Sequence, residues 1–225
     1  MTKHIEKQIA GEISIERGRV KRGLDANVQN TDPRVGPIGG WLTTFTGKQF
    51  SFIDPQLDMI DIADIAHHLA MICHWNGACR CHFSVAQHSV CVSRIVPREL
   101  QPWALLHDAA EAYCGDMTRP LKALLPEYKM IEKRVLRVIA EKFGLPWPEP
   151  PELKGYDDQI LKIESTMYMH PSEVLHDGRG HPVVIADLMA HQHLSAVFTM
   201  QMQPEAAELM FLSRYRRIFL DEDGL

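Results

Sequence analysis

From Ile62 onward, apolar side chains return every three or four residues. Ile62, Ile65, Ala66, Leu69 and Ile72 do so in "DMIDIADIAHHLAMICHW". That period is the turn of an α-helix, and it gathers one apolar stripe on one side of the segment. It recurs in "FSVAQHSVCVSRIV", with Ser84 as N-cap, and in "RELQPWALLHDAAEAYC", which Gly115 stops. It recurs again in the short "TRPLKALLP" after Thr118, in "EYKMIEKRVLRVIAEKFGL" up to Gly144, in "LKGYDDQILKIESTMYMH" and in "QPEAAELMFLSRYRRIFL". Such stripes are buried only against one another, so the expected class is all-α, a bundle of helices. One segment departs from the period. Trp41, Thr43 and Phe45 alternate before Gly47-Lys48, and Phe50 and Phe52 alternate after it, which predicts a small N-terminal β-hairpin.

Residues 1–40 are charged, poor in aromatics and finish on "NTDPRVGPIGG". They read as an extended arm, free or packed on a neighbouring subunit, ahead of a domain spanning residues 41–225. "PWPEPPEL" reads as a proline-rich link, and residues 173–193 as irregular chain.

A chain of 225 residues with 45% hydrophobic and 24% charged residues is long enough for a full core and ordinary in composition. Its net charge of −5 argues against a partner bound through a nucleic-acid backbone, which needs a basic face. A small anionic substrate stays compatible, because a pocket can be locally positive. No apolar run approaches the roughly 20 residues of a membrane span, and "MTKHIEKQIAGEISIERG" lacks the apolar stretch of a signal peptide. A cytoplasmic protein is expected, with no membrane partner. There its five cysteines, Cys73, Cys79, Cys81, Cys91 and Cys114, are free thiols.

The chemistry concentrates in "ALLHDAAEAYCGD", residues 104–116. An apolar run meets His107 and Asp108 side by side, and Glu111 follows one turn after His107. One buried histidine is usually a hydrogen-bonded core residue. A buried His-Asp pair is different, because an unpaired buried carboxylate costs several kcal/mol. A divalent ion supplies the missing partner, and imidazole nitrogen and carboxylate oxygen both suit it. His88 interrupts another apolar helix 19 residues upstream, and Asp157 lies 50 residues downstream of His107.

The order His88, His107-Asp108, Asp157 resembles the H…HD…D signature of the HD-domain metal-dependent phosphohydrolases. The blocks "FSVAQHSV", "LLHDAAEAYCGDMTRPLK" and "YDDQILKIE" look like the segments of bacterial and phage 5′-nucleotidases of that superfamily, among them phage dATP triphosphohydrolases. The resemblance runs from about Trp41 to the C-terminus. It implies one divalent ion (Mn, Co, Mg, Zn or Fe) held by His88, His107, Asp108 and Asp157. Asp157 is preferred to Asp158 because it stands seven residues before Glu164 and shares its helix face. The resemblance also implies that Glu111 holds the nucleophilic water or orients a ligand, that Asp116 donates a proton to the leaving oxygen, and that Lys122 binds phosphate. In relatives the segment around Trp75 lines the base and sugar pocket. Trp75 is therefore the candidate for stacking on a base, and Asn76 and Ala78 are the nearest candidates for base choice. Here the chain departs from its look-alikes. Many carry Arg where it has His74, and His where it has Ala78.

The resemblance thus implies an enzyme that releases a nucleoside from its 5′-phosphates, with deoxyadenosine phosphates favoured. A cyclic- or oligonucleotide phosphodiesterase is one alternative, and a metal-stapled helical binding module without turnover is another. The apolar last helix permits a homo-oligomer. "CHWNGACRCH" offers Cys73, His74, Cys79, Cys81 and His82, but not at the spacing of structural zinc modules. His67 and His68 point different ways around their helix, and one of them is expected in the core. His191 and His193 read as loop residues without a role.

Overall fold

The structure is a computed structural model, and residues 41–169 and 202–220 are described. The arm expected over residues 1–40, the irregular stretch at 173–193 with His191 and His193, and the last five residues lie outside the described residues. Within them the fold is all-α with one small hairpin.

Strand β1 (Leu42–Thr43) pairs antiparallel with β2 (Gln49–Phe50), Leu42 facing Phe50 and Thr43 facing Gln49. The turn closes through the Thr44 amide on Lys48 O at 2.9 Å. Gly47 sits at φ +84°, a conformation that favours glycine. The hairpin is tied to helix α1 (Ile62–Met71) by polar contacts. Thr46 N and Oγ1 donate to the Asp64 carboxylate at 2.7 and 2.9 Å, and Lys48 pairs with Asp61 at 2.8 Å. Phe50 is fully buried and stacks on Tyr113 with ring centroids 4.1 Å apart.

The remaining helices are α2 (Val85–Ile95), α3 (Gln101–Leu106), α4 (Glu111–Cys114), α5 (Arg119–Leu124), α6 (Pro126–Lys142), α7 (Leu153–Tyr168) and α8 (Pro204–Phe219). Ser84 caps α2 as expected. It accepts from Gln87 N, while the Gln87 side chain accepts from Ser84 N, so two otherwise orphaned amides are satisfied reciprocally. Helix α8 packs on α1, α2 and α3, and α2 packs also on α7. The stripes close one core around Ile65, Leu69, Leu106, Ile139 and Phe211. A second core holds Phe83, Trp103, Leu153 and Ile160. Helix α2 lies between them, and every residue from Val85 to Ser93 is buried. Its polar members, Gln87, His88, Ser89 and Ser93, go into the interior with it. Among the described residues no helix is long and apolar enough to cross a membrane.

Two details differ from the sequence reading. The helix expected to run without interruption to Gly115 is divided, with α3 and α4 separated by a turn at residues 107–110. There Ala109 N bonds Leu106 O at 3.0 Å and Glu111 N bonds Asp108 O at 2.9 Å, so the chain tightens to i→i+3 pairing beside the His-Asp pair. Nor is either of His67 and His68 fully buried. His67 meets Glu208 at 2.9 Å and stacks with Phe45 at 3.7 Å. His68 donates from Nδ1 to Ala112 O at 2.6 Å and accepts the Phe45 amide at Nε2. Both rings pin neighbouring elements to α1, because their nitrogens need partners that an apolar core does not offer.

Candidate metal centre

Helix α2, the 107–110 turn and α7 bring four side chains to one point. His88 Nε2 lies 3.2 Å from His107 Nε2, 3.3 Å from Asp157 Oδ1 and 3.5 Å from Asp108 Oδ2. His107 Nε2 lies 3.1 Å from Asp108 Oδ2 and 3.9 Å from Asp157 Oδ1. The other ring nitrogens settle the tautomers. His107 Nδ1 is 2.9 Å from Ala104 O, and a carbonyl only accepts, so Nδ1 carries the hydrogen. His88 Nδ1 likewise donates to the buried Glu164 carboxylate at 2.8 Å. In their neutral forms both Nε2 atoms therefore present lone pairs to the same point as two carboxylate oxygens. Two facing lone pairs cannot bond each other, whereas a shared cation satisfies both, and a hydrogen-bonded Nδ1 is the usual support of a metal-bound imidazole.

The electrostatics agree. Burial opposes charge on His88, but the Glu164 and Asp157 carboxylates outweigh it and hold its pKa well above the usual histidine range. His107 is raised too, burial being overcome chiefly by Asp108. Asp108 and Asp157 are held below the ordinary carboxylate range despite burial, the first by His107 and the second by His88. The cluster is an anionic cradle that favours a positive charge at its centre.

A second group of potential ligands, His74, His88 and Glu164, is also close enough to hold an ion. An ion there would need His88 Nδ1, the atom whose hydrogen Glu164 accepts. We read this group as a support chain instead. Glu164 is fully buried, with Oε1 on His88 and Oε2 3.4 Å from His74 Nδ1. No cysteine belongs to either group of potential ligands among the described residues. All five cysteines are free, and burial, reinforced by Cys73, pushes the Cys79 thiol up to about 12.

The centre forms one wall of a cavity of about 830 Å³. Trp75, Ala78, Asp116, Arg119 and Lys122 line it, and Trp147, Pro148 and Glu149 of the proline-rich link complete it. Glu111 is 6% exposed, and its Oε2 is buried without a hydrogen-bond partner. Burial, then Asp108 and Asp116, push its pKa well above the carboxylate range. Lys122 is not a free charge. Its Nζ lies 2.6 Å from Glu132 and 3.5 Å from Glu111. Trp75, Asn76 and Gly77 all have positive φ, at 60°, 52° and 77°. For the two non-glycine residues this costs about 1–2 kcal/mol each. The Asn76 amide donates to Asp116 Oδ2 at 3.3 Å, which ties the strained turn to the loop after α4. The Asn76 side chain is exposed and does not line the cavity.

Sequence reasoning passed over several residues here. Arg119 donates to Asp157 Oδ2 at 2.9 Å and to Asp158 Oδ1 at 3.0 Å, and Lys154 also pairs with both aspartates. Asp157 thus turns Oδ1 to the histidines and Oδ2 to two cations, while Asp158 faces the cations. Lys154 at three and four residues before the aspartates was a legible signal. Arg119 was not, since it arrives from another helix.

Comparison with known proteins finds two similar chains. The chain is 48% identical to the uncharacterized protein YfdR of Escherichia coli K12, over 47% of this chain and 60% of that protein. It therefore spans less than two thirds of YfdR. It is 33% identical to the uncharacterized protein RCAP_rcc00048 of Rhodobacter capsulatus, over 66% of this chain and 84% of that protein. The chain belongs to the family of RCAP_rcc00048. No protein-family model matches it.

Proposed function

We propose that this chain is an HD-type, divalent-metal-dependent phosphohydrolase that releases the nucleoside from deoxynucleotide 5′-phosphates. The observation that carries the reading is the convergence of His88 Nε2, His107 Nε2, Asp108 Oδ2 and Asp157 Oδ1 with both Nδ1 hydrogens already engaged. These four residues would hold the ion. When bound, such an ion lowers the pKa of water and polarises a phosphoryl group.

The chain's own groups divide the remaining work. Glu111, with a raised pKa and an unpartnered Oε2, holds the attacking water and takes its proton. Water oxygen bonds to the α-phosphorus and the bond to the 5′ oxygen breaks. Asp116 returns a proton to that oxygen, because a nucleoside alkoxide is a poor leaving group. Arg119 and Lys154 stand beside Asp157, and Lys122 stands beside Glu111, so phosphate oxygens entering the cavity meet three cations. Trp75 offers a face on which any base can stack.

The test is a panel of deoxynucleoside mono-, di- and triphosphates incubated with Mn²⁺- or Co²⁺-loaded protein, with products read by ³¹P NMR. Release of phosphate, pyrophosphate or triphosphate together with nucleoside is the expected result. Equal activity in metal-free protein contradicts the reading.

A further inference from the structure

A second recess lies on a different face of α2 from His88. It has a volume of about 360 Å³ and is lined by Arg94 of α2, Gln101 at the start of α3, and Met210, Ser213, Arg214 and Arg217 of α8. The α8 residues recur at three- and four-residue spacing, so they form one face of that helix. Three guanidinium groups meet there and, among the described residues, no carboxylate lines the recess, in a chain whose net charge is −5.

One of the three is held in place. Arg214 Nε donates to Ser93 Oγ at 2.9 Å and Nη2 donates to Ser93 O at 2.7 Å. Ser93 Oγ is itself fixed, donating to Val90 O at 2.8 Å. Of the five N–H groups of a guanidinium, three are left unspent. Neither Arg94 nor Arg217 makes a hydrogen bond or ion pair with a described residue. Burial, then Arg94, then Arg217 depress the Arg214 pKa, so the three charges stand close enough to repel one another. A solvated arginine normally avoids such an arrangement or carries an acid beside it. An anion bound among the three relieves the repulsion.

We propose that the Arg94–Arg214–Arg217 recess is a second binding site, for a small phosphorylated anion. The guanidinium fork matches the tetrahedral oxygens of a phosphate, and two or three positive charges match a phosphate dianion or a diphosphate better than a single carboxylate. The volume is that of a small-molecule site and gives no long groove for a polyanionic chain. The inference does not depend on the metal centre.

The experiment follows the side-chain Nε–H resonances of Arg94, Arg214 and Arg217 by ¹H–¹⁵N NMR in the full chain. Inorganic phosphate and pyrophosphate are titrated at constant ionic strength. Saturable shifts at these three arginines are expected, and the tighter ligand tells a monophosphate site from a diphosphate site. In Arg94→Gln/Arg217→Gln the dissociation constant read at Arg214 should rise about tenfold or more, since charge-assisted hydrogen bonds are lost. Both changed residues are exposed, and the Arg214 Nε signal reports whether its contact with Ser93 persists. An absence of shifts overturns the proposal. So does an equal, unsaturated drift with sulfate or chloride, which is an adventitious ion only. So too does a shift of the same signals, without added anion, in Asp221→Asn/Glu222→Gln/Asp223→Asn, since the recess would then hold the chain's own acidic residues.

Discussion

The two walls of the large cavity are built differently. On the inner wall, His88, His107, Asp108 and Asp157 are mounted on α2, α7 and the tight 107–110 turn. Each histidine is locked by a second hydrogen bond, to Glu164 or to Ala104 O. On the outer wall, Trp75 rides a strained left-handed turn, and Arg119 and Lys122 ride the six-residue helix α5, within which no residue is buried. The inner wall is set by core packing, so its geometry exists before a ligand arrives. The outer wall is held by a few polar ties, such as the Asn76 amide on Asp116 and Lys122 on Glu132. Under the proposed function, the inner wall would carry the fixed chemistry and the outer wall the choice of substrate.

The largest break in that contrast comes from the inner wall. His107→Ala or Asp108→Ala should lose the bound ion and drop turnover to background, beyond about 10⁴-fold, because ligands act as a unit. Metal analysis beside the rate checks it; full metal content with normal turnover would place the chemistry elsewhere. Glu111→Gln, at the start of α4 beside that wall, sharpens the assignment. It should retain the ion and lose roughly 10²–10⁴ in kcat, the range of a general base.

Next comes the support chain. Glu164→Gln removes the charge that His88 Nδ1–H meets and should weaken ion affinity about 10–100-fold, measured by competition with a chelator. If affinity is unchanged, Glu164 is packing and not support. The smallest effect belongs to the outer wall. Trp75→Ala should leave ion affinity alone and weaken all nucleotides alike by about 1–3 kcal/mol, read as kcat/KM across the bases. A loss confined to one base would mean that Trp75 selects rather than stacks.

The same contrast explains what the sequence disclosed. Of the inner wall, His88 and the His107-Asp108 pair were conspicuous as polar residues in apolar helices, while the grouping of these three with Asp157 came from the resemblance to HD-domain proteins. The capping box at Ser84 and Gln87 made the start of α2 legible too. The outer wall was not. Asn-Gly in "HWNG" is a turn signal, but nothing there dictates a positive φ at the bulky Trp75, and the tie of the Asn76 amide to Asp116 comes from a distant segment. The break at residues 107–110 was hidden because Ala109 and Ala110 are good helix formers, and i→i+3 tightening hardly changes the backbone angles. Glu164 entered the reading as a neighbour of Asp157 on one helix face, with no sign of its bond to His88. His74 entered as a departure from look-alikes and as a member of the cysteine-rich stretch, with no sign that it lies against Glu164.

The most direct test of the account is a Zn²⁺ titration of metal-free protein, watched through the imidazole ¹⁵N signals at pH 6 and pH 8. The raised pKa values of His88 and His107 mean that their protonated forms stabilise the metal-free fold below about pH 6.5, a contribution lost as pH rises through the raised values. Ion binding needs those Nε2 atoms free of protons. Affinity should therefore climb with pH over the same window, about tenfold per unit for each proton displaced. At one equivalent, Nε2 of His88 and Nε2 of His107 should shift together, while both Nδ1 atoms keep their hydrogens. Binding that shifts His74 and the Cys73–Cys79 segment instead, or that leaves His88 and His107 unchanged, would contradict the account.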